Sequence, residues 1–235
     1  DPTVMISKPS VIITSLGRTG TKFFSKLFQA LFPDCVSLHE PDILTIEKEH
    51  NIEDIVQQIR DAGLINLLIR KPFKKWSLIE ISDSRFRSHL TKEHAAESLA
   101  CQRREFIRQK SGEVFTESSI GYYGLIDVAP LVFENHRIAY IVRDGRAWVQ
   151  SHMNWGEMYG KGRIRRLIAH TWPTARDIDG DPYGADWDAM RRFEKLCWAW
   201  TSLNAYALNT IKENDNARVF RFEDLFQSED SHKHL

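Results

Sequence analysis

Cysteine is scarce in this chain, with 3 in 235 residues, and Cys35, Cys101 and Cys197 lie far apart without a CxxC pair. That excludes a disulfide framework and a zinc knuckle, and leaves the thiols expected as small buried hydrophobes. Proline and glycine are also few, at 8 and 12, beside 42% hydrophobic and 27% charged residues. Collagen-like, low-complexity and extensively disordered chains are thereby excluded. No apolar run approaches the roughly 18 residues of a membrane span, and the opening DPTVMISKPS lacks the basic and apolar regions of a signal peptide. The expectation is a soluble protein in the reducing cytoplasm, without a membrane span. An excess of either charge is missing too: 32 Lys and Arg balance 32 Asp and Glu. No global field draws such a protein onto nucleic acid, so any anion it binds must meet a local cluster of cations.

What is present is an ordinary globular chain of about 1.6 domain lengths at roughly 150 residues each, hence one domain over 1–235. Val11 to Ile13 is apolar, Ser15, Leu16 and Gly17 follow, and Phe23, Phe24, Leu27, Phe28 and Leu31 recur at three- and four-residue spacings. This pattern predicts strand, glycine loop, helix. A shorter strand, Val36 to Leu38, leads to His39 and Glu40 and is stopped by Pro41. A helix over 51–61 and a buried run from Leu64 to Ile69 come next, then a strand or helix near Leu78 to Ile81. The chain continues with a charged helix over 92–110, a short strand from Glu113 to Thr116 and a helix from Tyr123 to Phe133. Ile138 to Val142 is a continuous apolar run of the kind found in parallel strands covered on both faces. Ala147 to Met153 reads as helix, and 156–186 as an insertion or lid, basic to Arg176 and turn-rich from Asp177 to Asp186. The turn-rich DIDGDPYGAD lacks the closing Glu of an EF-hand loop, so no metal is expected. Trp187 to Ile211 is one long amphipathic helix, through Phe193, Leu196, Trp200, Leu203, Ala207 and Ile211, and Ala217 to Phe222 a last strand. Strands alternating with helices predict a single α/β domain, a central parallel sheet flanked by helices on both faces.

Two strand ends carry the chemistry. In TSLGRTGTKFF the first strand delivers Gly17 and Gly20 into the first turn of a helix. Glycines allow positive φ and close approach of backbone N–H groups to an oxyanion, and the helix N-terminus adds its positive dipole end. Arg18 and Lys22 add charge, Ser15, Thr19 and Thr21 hydroxyls, which together make a cradle for phosphate or sulfate. The loop fails the Walker A pattern: Ser15 stands five residues before Gly20, and Thr21-Lys22 replaces the required Lys-Ser/Thr. The second cluster, YIVRDGRAWVQSHMNW, places Arg143 at a strand end and Ser151 eight residues on along the next helix. Ligands of open α/β sheets bind at such carboxyl ends, and a ligand with two separated anionic groups would use both.

With these motifs the sequence resembles the sulfotransferases that use 3′-phosphoadenosine 5′-phosphosulfate. SLGRTGTKFF is similar to their 5′-phosphosulfate loop, YIVRDGRAWVQSH to their 3′-phosphate motif of an Arg and a Ser eight positions later, and VFRFEDL to their strand-plus-acidic segment. The resemblance spans Val11 to Leu225 in the family's order. It implies a P-loop-like fold and a donor cradle of Gly17, Arg18, Thr19, Gly20, Thr21 and Lys22. It also implies Arg143 and Ser151 on the 3′-phosphate, 3′-phosphoadenosine 5′-phosphate as product, and no metal. Gly145 departs from a frequent Pro and Lys22 from a frequent Thr or Ser; of the closing glycine-basic loop only GKGRIRR, Gly160 to Arg166, has a similar composition. The chain starts at Asp1 and ends soon after VFRFEDL, so a trimmed chain is the expectation.

Sulfuryl transfer asks for positioning and for charge at the leaving phosphate, which falls to Arg18, Lys22 and the loop amides, and for a base near the acceptor. Glu40 in SLHEP is the first candidate base, since several carbohydrate-type members of the family carry a Glu in such a position. Glu117 in VFTESS is the second, and His39, with the more suitable unperturbed pKa, the third. The acceptor is expected to be a small molecule or carbohydrate, with Trp76, Phe86, Tyr122, Tyr123, Trp148, Trp155 and Trp172 as candidate lining. Two other classes stay open: a P-loop kinase or NTPase, which needs magnesium and an acidic residue directly after a strand where this chain has Arg143, and a non-catalytic nucleotide-binding module.

Overall fold

A computed structural model describes residues 5–41, 77–155, 158–160 and 172–226. The helix expected over 51–61, the run from Leu64 to Ile69, Trp76 and most of the GKGRIRR stretch lie outside these residues. Five strands, β1 (Ser10–Ser15), β2 (Cys35–His39), β3 (Val114–Ser118), β4 (His136–Val142) and β5 (Ala217–Arg221), form one sheet in the order β2-β3-β1-β4-β5. Each neighbouring pair is parallel. The helices are α1 (Thr21–Leu31), α2 (Leu78–Phe86), α3 (Lys92–Arg108), α4 (Gly145–Trp155), α5 (Arg192–Ile211) and the short α6 (Phe222–Phe226).

Successive side chains of a strand point to opposite faces, and β1 sorts its isoleucines accordingly. Ile12 joins Phe115, Ile138 and Tyr140 in the larger core, closed by Leu78 and Ile81 of α2, Leu99 of α3, Trp148 of α4 and Leu203 of α5. Ile13 and Ile141 enter a smaller cluster on the other face with Phe24 of α1 and Leu225 of α6. Helices therefore cover both faces of a parallel sheet, the α/β architecture expected from the alternation of elements. No helix among the described residues is long and apolar enough to cross a membrane.

The strand order fixes the location of the crevice. After β1 the chain crosses toward β2, after β4 toward β5, and β1 and β4 are neighbours. Their carboxyl ends flank the point where the winding reverses, which is where open α/β sheets bind ligands.

Several boundaries differ from the sequence expectation. Tyr123 to Phe133 is not an α-helix; two 3-10 turns, Ile120–Tyr122 and Ala129–Leu131, flank an irregular stretch. Pro130 lacks an amide hydrogen, and packing on α2 overrides the apolar spacing: a Cβ on Gly121 would lie 2.6 Å from Leu78 Cβ, and one on Gly124 2.8 Å from the Ser82 carbonyl oxygen. The long helix begins at Arg192 rather than Trp187, because Glu194 reaches back to accept from the Arg191 amide at 2.6 Å. Phe193, expected in its core stripe, is exposed. β3 runs on to Ser118, since pairing with β2 places Leu38 opposite Glu117 and His39 opposite Ser118. Cys35 is buried as expected, but Cys101 is exposed and Cys197 half-buried. In the carboxylate-rich turn, Asp177 accepts from the Thr174 amide and Asp181 from Trp198 Nε1, so these groups brace the turn.

Candidate functional site

The loop after β1 is built from left-handed residues: Gly17, Arg18 and Gly20 have φ of 81°, 57° and 73°. Glycine adopts this region freely, whereas for Arg18 it costs about 1 kcal/mol, so surrounding bonds must hold it. They do. Ser15 Oγ and Thr19 Oγ1 share a hydrogen bond of 2.5 Å, and the Gly17 amide donates to Ser15 Oγ at 3.0 Å. Trp148 Nε1 donates to the Leu16 carbonyl at 3.3 Å and Arg143 Nη1 to the Arg18 carbonyl at 2.6 Å. The Ser15 and Thr19 hydroxyls, expected to face an anion, are thus spent inside the loop. Gly20 occupies the N-cap of α1, and among the described residues no side chain caps it. The first-turn amides of a helix have no intrahelical partner and carry the positive dipole end. Lys22 is exposed one residue inside the helix, while Thr21 is buried and its carbonyl accepts from Ser118 Oγ at 2.8 Å.

The second cluster joins the first through Arg18. Its Nε donates to Ser151 Oγ at 3.0 Å, and its guanidinium lies 5.8 Å from the centre of the Trp155 ring. The sequence suggested Arg143 and Ser151 as a pair; the structure sets Arg18 between them, its side chain on one and its carbonyl on the other. Arg143 also lies 5.0 Å over the Phe222 ring, and its Nε is buried without a hydrogen-bond partner among the described residues. Asp144 does not pair with Arg143. It binds the Arg146 side chain and the amides of Arg146 and Ala147 at the start of α4, and the Arg146 contact above all holds its carboxyl down to about 2.

Arg192 of α5, which sequence reasoning missed, fixes the far end of α4. Its Nη2, Nη1 and Nε donate to the carbonyls of His152, Met153 and Met158 at 2.6, 3.0 and 2.9 Å. His152 stacks on Trp148 with ring centres 4.0 Å apart. Burial, then the charges of Arg18, Arg192 and Arg143, push its imidazole down to about 4, so it is neutral at pH 7 and adds nothing to the local positive charge. The spacing of Trp148, His152 and Trp155, at i, i+4 and i+7 along one helix face, was the available signal for this wall.

Acidic residues occupy the neighbouring strand ends. Glu40 leaves β2 with φ 42°, its amide bound to the Ser118 carbonyl at 3.0 Å. Burial pushes its carboxyl up to about 7; the Ile120 amide bound to it opposes the rise, and the charge of Glu117 adds to it. Part of Glu40 still faces solvent, which screens some of that rise. Ile120 also abuts the anion loop, its Cγ2 3.5 Å from a Cβ built on Gly17, so Glu40 stands one residue away from the cradle. Glu117 is fully buried and clamped: Arg103 Nε and Nη2 each donate to it at 2.7 Å, and the Tyr122 hydroxyl donates at 2.9 Å. Both its oxygens are occupied by strong donors, which disfavours it as the base. His39 directs Nδ1 to the Ser118 carbonyl at 3.1 Å; a carbonyl only accepts, so Nδ1 carries the proton.

Of the aromatic residues suggested for the acceptor, Phe86, Tyr122, Tyr123 and Trp148 are buried in the core, Trp172 is half-buried and Trp155 is exposed. A small cavity behind the loop, lined in part by Ser15, Leu16, Ile120, Tyr123 and Trp148, has room for about one water molecule.

No family model and no curated protein matches this chain. Among solved structures, a sulfotransferase domain from the curacin biosynthetic pathway is similar with a TM-score of 0.46 and 14% identity, over 96% of this chain and 70% of that one. The fold assignment stands on strand order and register, and the site on its own contacts; a likeness at this level adds to neither.

Proposed function

We propose that this protein transfers a sulfuryl group from 3′-phosphoadenosine 5′-phosphosulfate to a hydroxyl or amine acceptor. The observation that carries the reading is Arg18, which joins the loop after β1 to Ser151 and Arg143 beyond β4 in a single cationic site at the point where the sheet's winding reverses. A donor with anionic groups at both ends of a ribose needs such a double site. The residues fit: left-handed backbone at Gly17, Arg18 and Gly20, an uncapped helix N-terminus and the unpartnered Arg143 Nε supply donors for both groups.

In this reading the acceptor oxygen or nitrogen forms its bond to sulfur as the sulfur–oxygen bond to the donor's phosphate breaks, the electron pair leaving with the phosphate. Arg18, Lys22 and the amides of Thr19, Gly20 and Thr21 stabilise the charge that builds on that phosphate. Arg143 and Ser151 hold the 3′-phosphate and fix the donor in line. Glu40 takes the acceptor's proton; a carboxyl raised to about 7 is half ionised near neutral pH, close to the optimum for a general base.

The kinase reading lacks support from Asp144, whose oxygens are committed to Arg146 and the start of α4 rather than offered to magnesium. Titration with 3′-phosphoadenosine 5′-phosphate, without metal, should give saturable binding at micromolar or lower concentration, and ATP with magnesium a much weaker response. Preference for ATP and magnesium would overturn the proposal. Nucleotide binding without transfer to any acceptor in a broad screen would leave a non-catalytic module.

A further inference from the structure

The Arg103–Glu117–Tyr122 cluster lies behind the crevice, and the transfer step itself has no use for it. Arg103 is 1% and Glu117 0% exposed in their side chains, so a complete ion pair has been taken out of water. Such pairs give little net stability, because desolvation consumes most of the Coulomb gain. This one adds a third member, Tyr122, whose oxygen donates to Glu117 and accepts from Arg103 Nε at 3.2 Å. Glu117 is fixed in direction as well as in place, by a bidentate fork and one hydroxyl.

Its position gives the cluster a use. β2 and β3 pair in parallel through Leu38 and Glu117, then His39 and Ser118, and the next residue of β2 is Glu40, whose amide continues the pairing onto the Ser118 carbonyl. The Ile120 amide, three residues beyond Glu117, binds the Glu40 carboxyl. Two carboxyl groups therefore stand at adjacent strand ends, one bound by Arg103 and Tyr122, the other partly open to solvent.

We propose that Glu117, clamped by Arg103 and Tyr122, is a positioning residue for Glu40: its fixed negative charge sets the field in which the Glu40 carboxyl gains and loses its proton. Among the described residues, the titratable groups beside Glu40 on its own and the neighbouring strand are His39, with its ring on the Ser118 carbonyl, and Glu117 on β3 with Arg103 and Tyr122 behind it. Glu117 stands opposite Leu38, two residues before Glu40, and a like charge that near favours the protonated form. The two carboxylates divide the labour. One is held by a guanidinium and a hydroxyl, while the other changes its charge near neutrality. The catalytic part of this inference rests on the reading of Glu40 as the proton acceptor, whereas the electrostatic part does not.

The test is the titration of Glu40 itself, followed by carbon NMR of glutamate-labelled protein and assigned by the signal lost in Glu40→Gln. In Glu117→Gln the Glu40 midpoint should fall by about half a pH unit or more, because a like charge is gone and Arg103 is left uncompensated. That variant strands a buried guanidinium and can fail to fold, so the same measurement is made in Arg103→Met with Glu117→Leu, which removes both charges together. The midpoint should fall there as well. An unmoved or raised midpoint in a folded variant of either kind overturns the proposal. The titration needs no turnover, so it stands or falls even if no sulfuryl transfer is found; where transfer is found, the acid limb of kcat/KM must move with the Glu40 midpoint.

Discussion

At the ends of β1 and β4 the cations Arg18 and Arg143 reach toward solvent and are tied to a serine hydroxyl and a backbone carbonyl, whereas at the ends of β2 and β3 the carboxylates Glu40 and Glu117 are drawn toward the interior. Arg143 rests on the Arg18 carbonyl and Arg18 on a serine hydroxyl, so neither is neutralised by an acid in these contacts. Glu117 by contrast is bound in the interior by a guanidinium and a hydroxyl. The difference follows from what each region would do. Anion binding needs positive charge kept in water until the ligand displaces that water, while a proton acceptor needs an environment that makes its own charge mildly unfavourable.

The contrast can be broken most sharply by Arg103→Ala. Leaving Glu117 buried without its partner should cost about 3–5 kcal/mol, read as a lower denaturant midpoint, whereas Arg143→Ala should leave that midpoint within about 1 kcal/mol. Similar losses for both would erase the distinction between a buried clamp and an open cation cluster. Arg143→Ala is expected instead to weaken 3′-phosphoadenosine 5′-phosphate by about 10- to 100-fold, as for one lost hydrogen bond between charged groups, and the analogue without the 3′-phosphate far less. Equal losses by calorimetry would remove Arg143 from the 3′-phosphate.

The smallest effect concerns Glu40. Its carboxyl is raised from 4.5 to about 7 in the folded protein, so the native state binds the extra proton between those values and the wild type loses stability as pH rises through that window. Glu40→Gln, which cannot ionise, should therefore be more stable than wild type at pH 8 by about 1 kcal/mol, below the roughly 3 kcal/mol of the full rise because solvent at the half-buried carboxyl screens it, and little different at pH 4. In activity, kcat/KM of the wild type should fall below a midpoint near pH 7 and Glu40→Gln should lose turnover while keeping nucleotide affinity. A flat stability difference across pH, or wild-type turnover in the variant, would put Glu40 on the same footing as an ordinary surface acid.

The anion loop was legible in the sequence because each of its requirements has a residue-type signature: glycines for positive φ, an apolar strand before and a helical period after. The sheet was legible for the same reason, since Ile138 to Val142 is apolar without a break. What was not legible were the contacts across elements. Nothing in the spacing shows that Arg18 would reach Ser151, that Arg192 would gather three carbonyls at the end of α4, or that Arg103, one of many charges on the helix expected over 92–110, would be buried against Glu117. The stretch from Tyr123 to Phe133 was misread because the close packing of Gly121 and Gly124 on α2 is a tertiary demand that local apolar spacing does not register.

The bond from Arg143 to the Arg18 carbonyl closes a loop of 125 residues, and that from Arg18 to Ser151 one of 133. Contacts so distant along the chain bear most of the loop-closure entropy and form late in folding, after helices such as α3 and α5 have their local hydrogen bonds. A refolding protein should therefore regain its helical signal well before it can hold a nucleotide. The cationic crevice then acts as a timer as well as a binding site, since its appearance marks the moment at which the first half of the sheet has found the second.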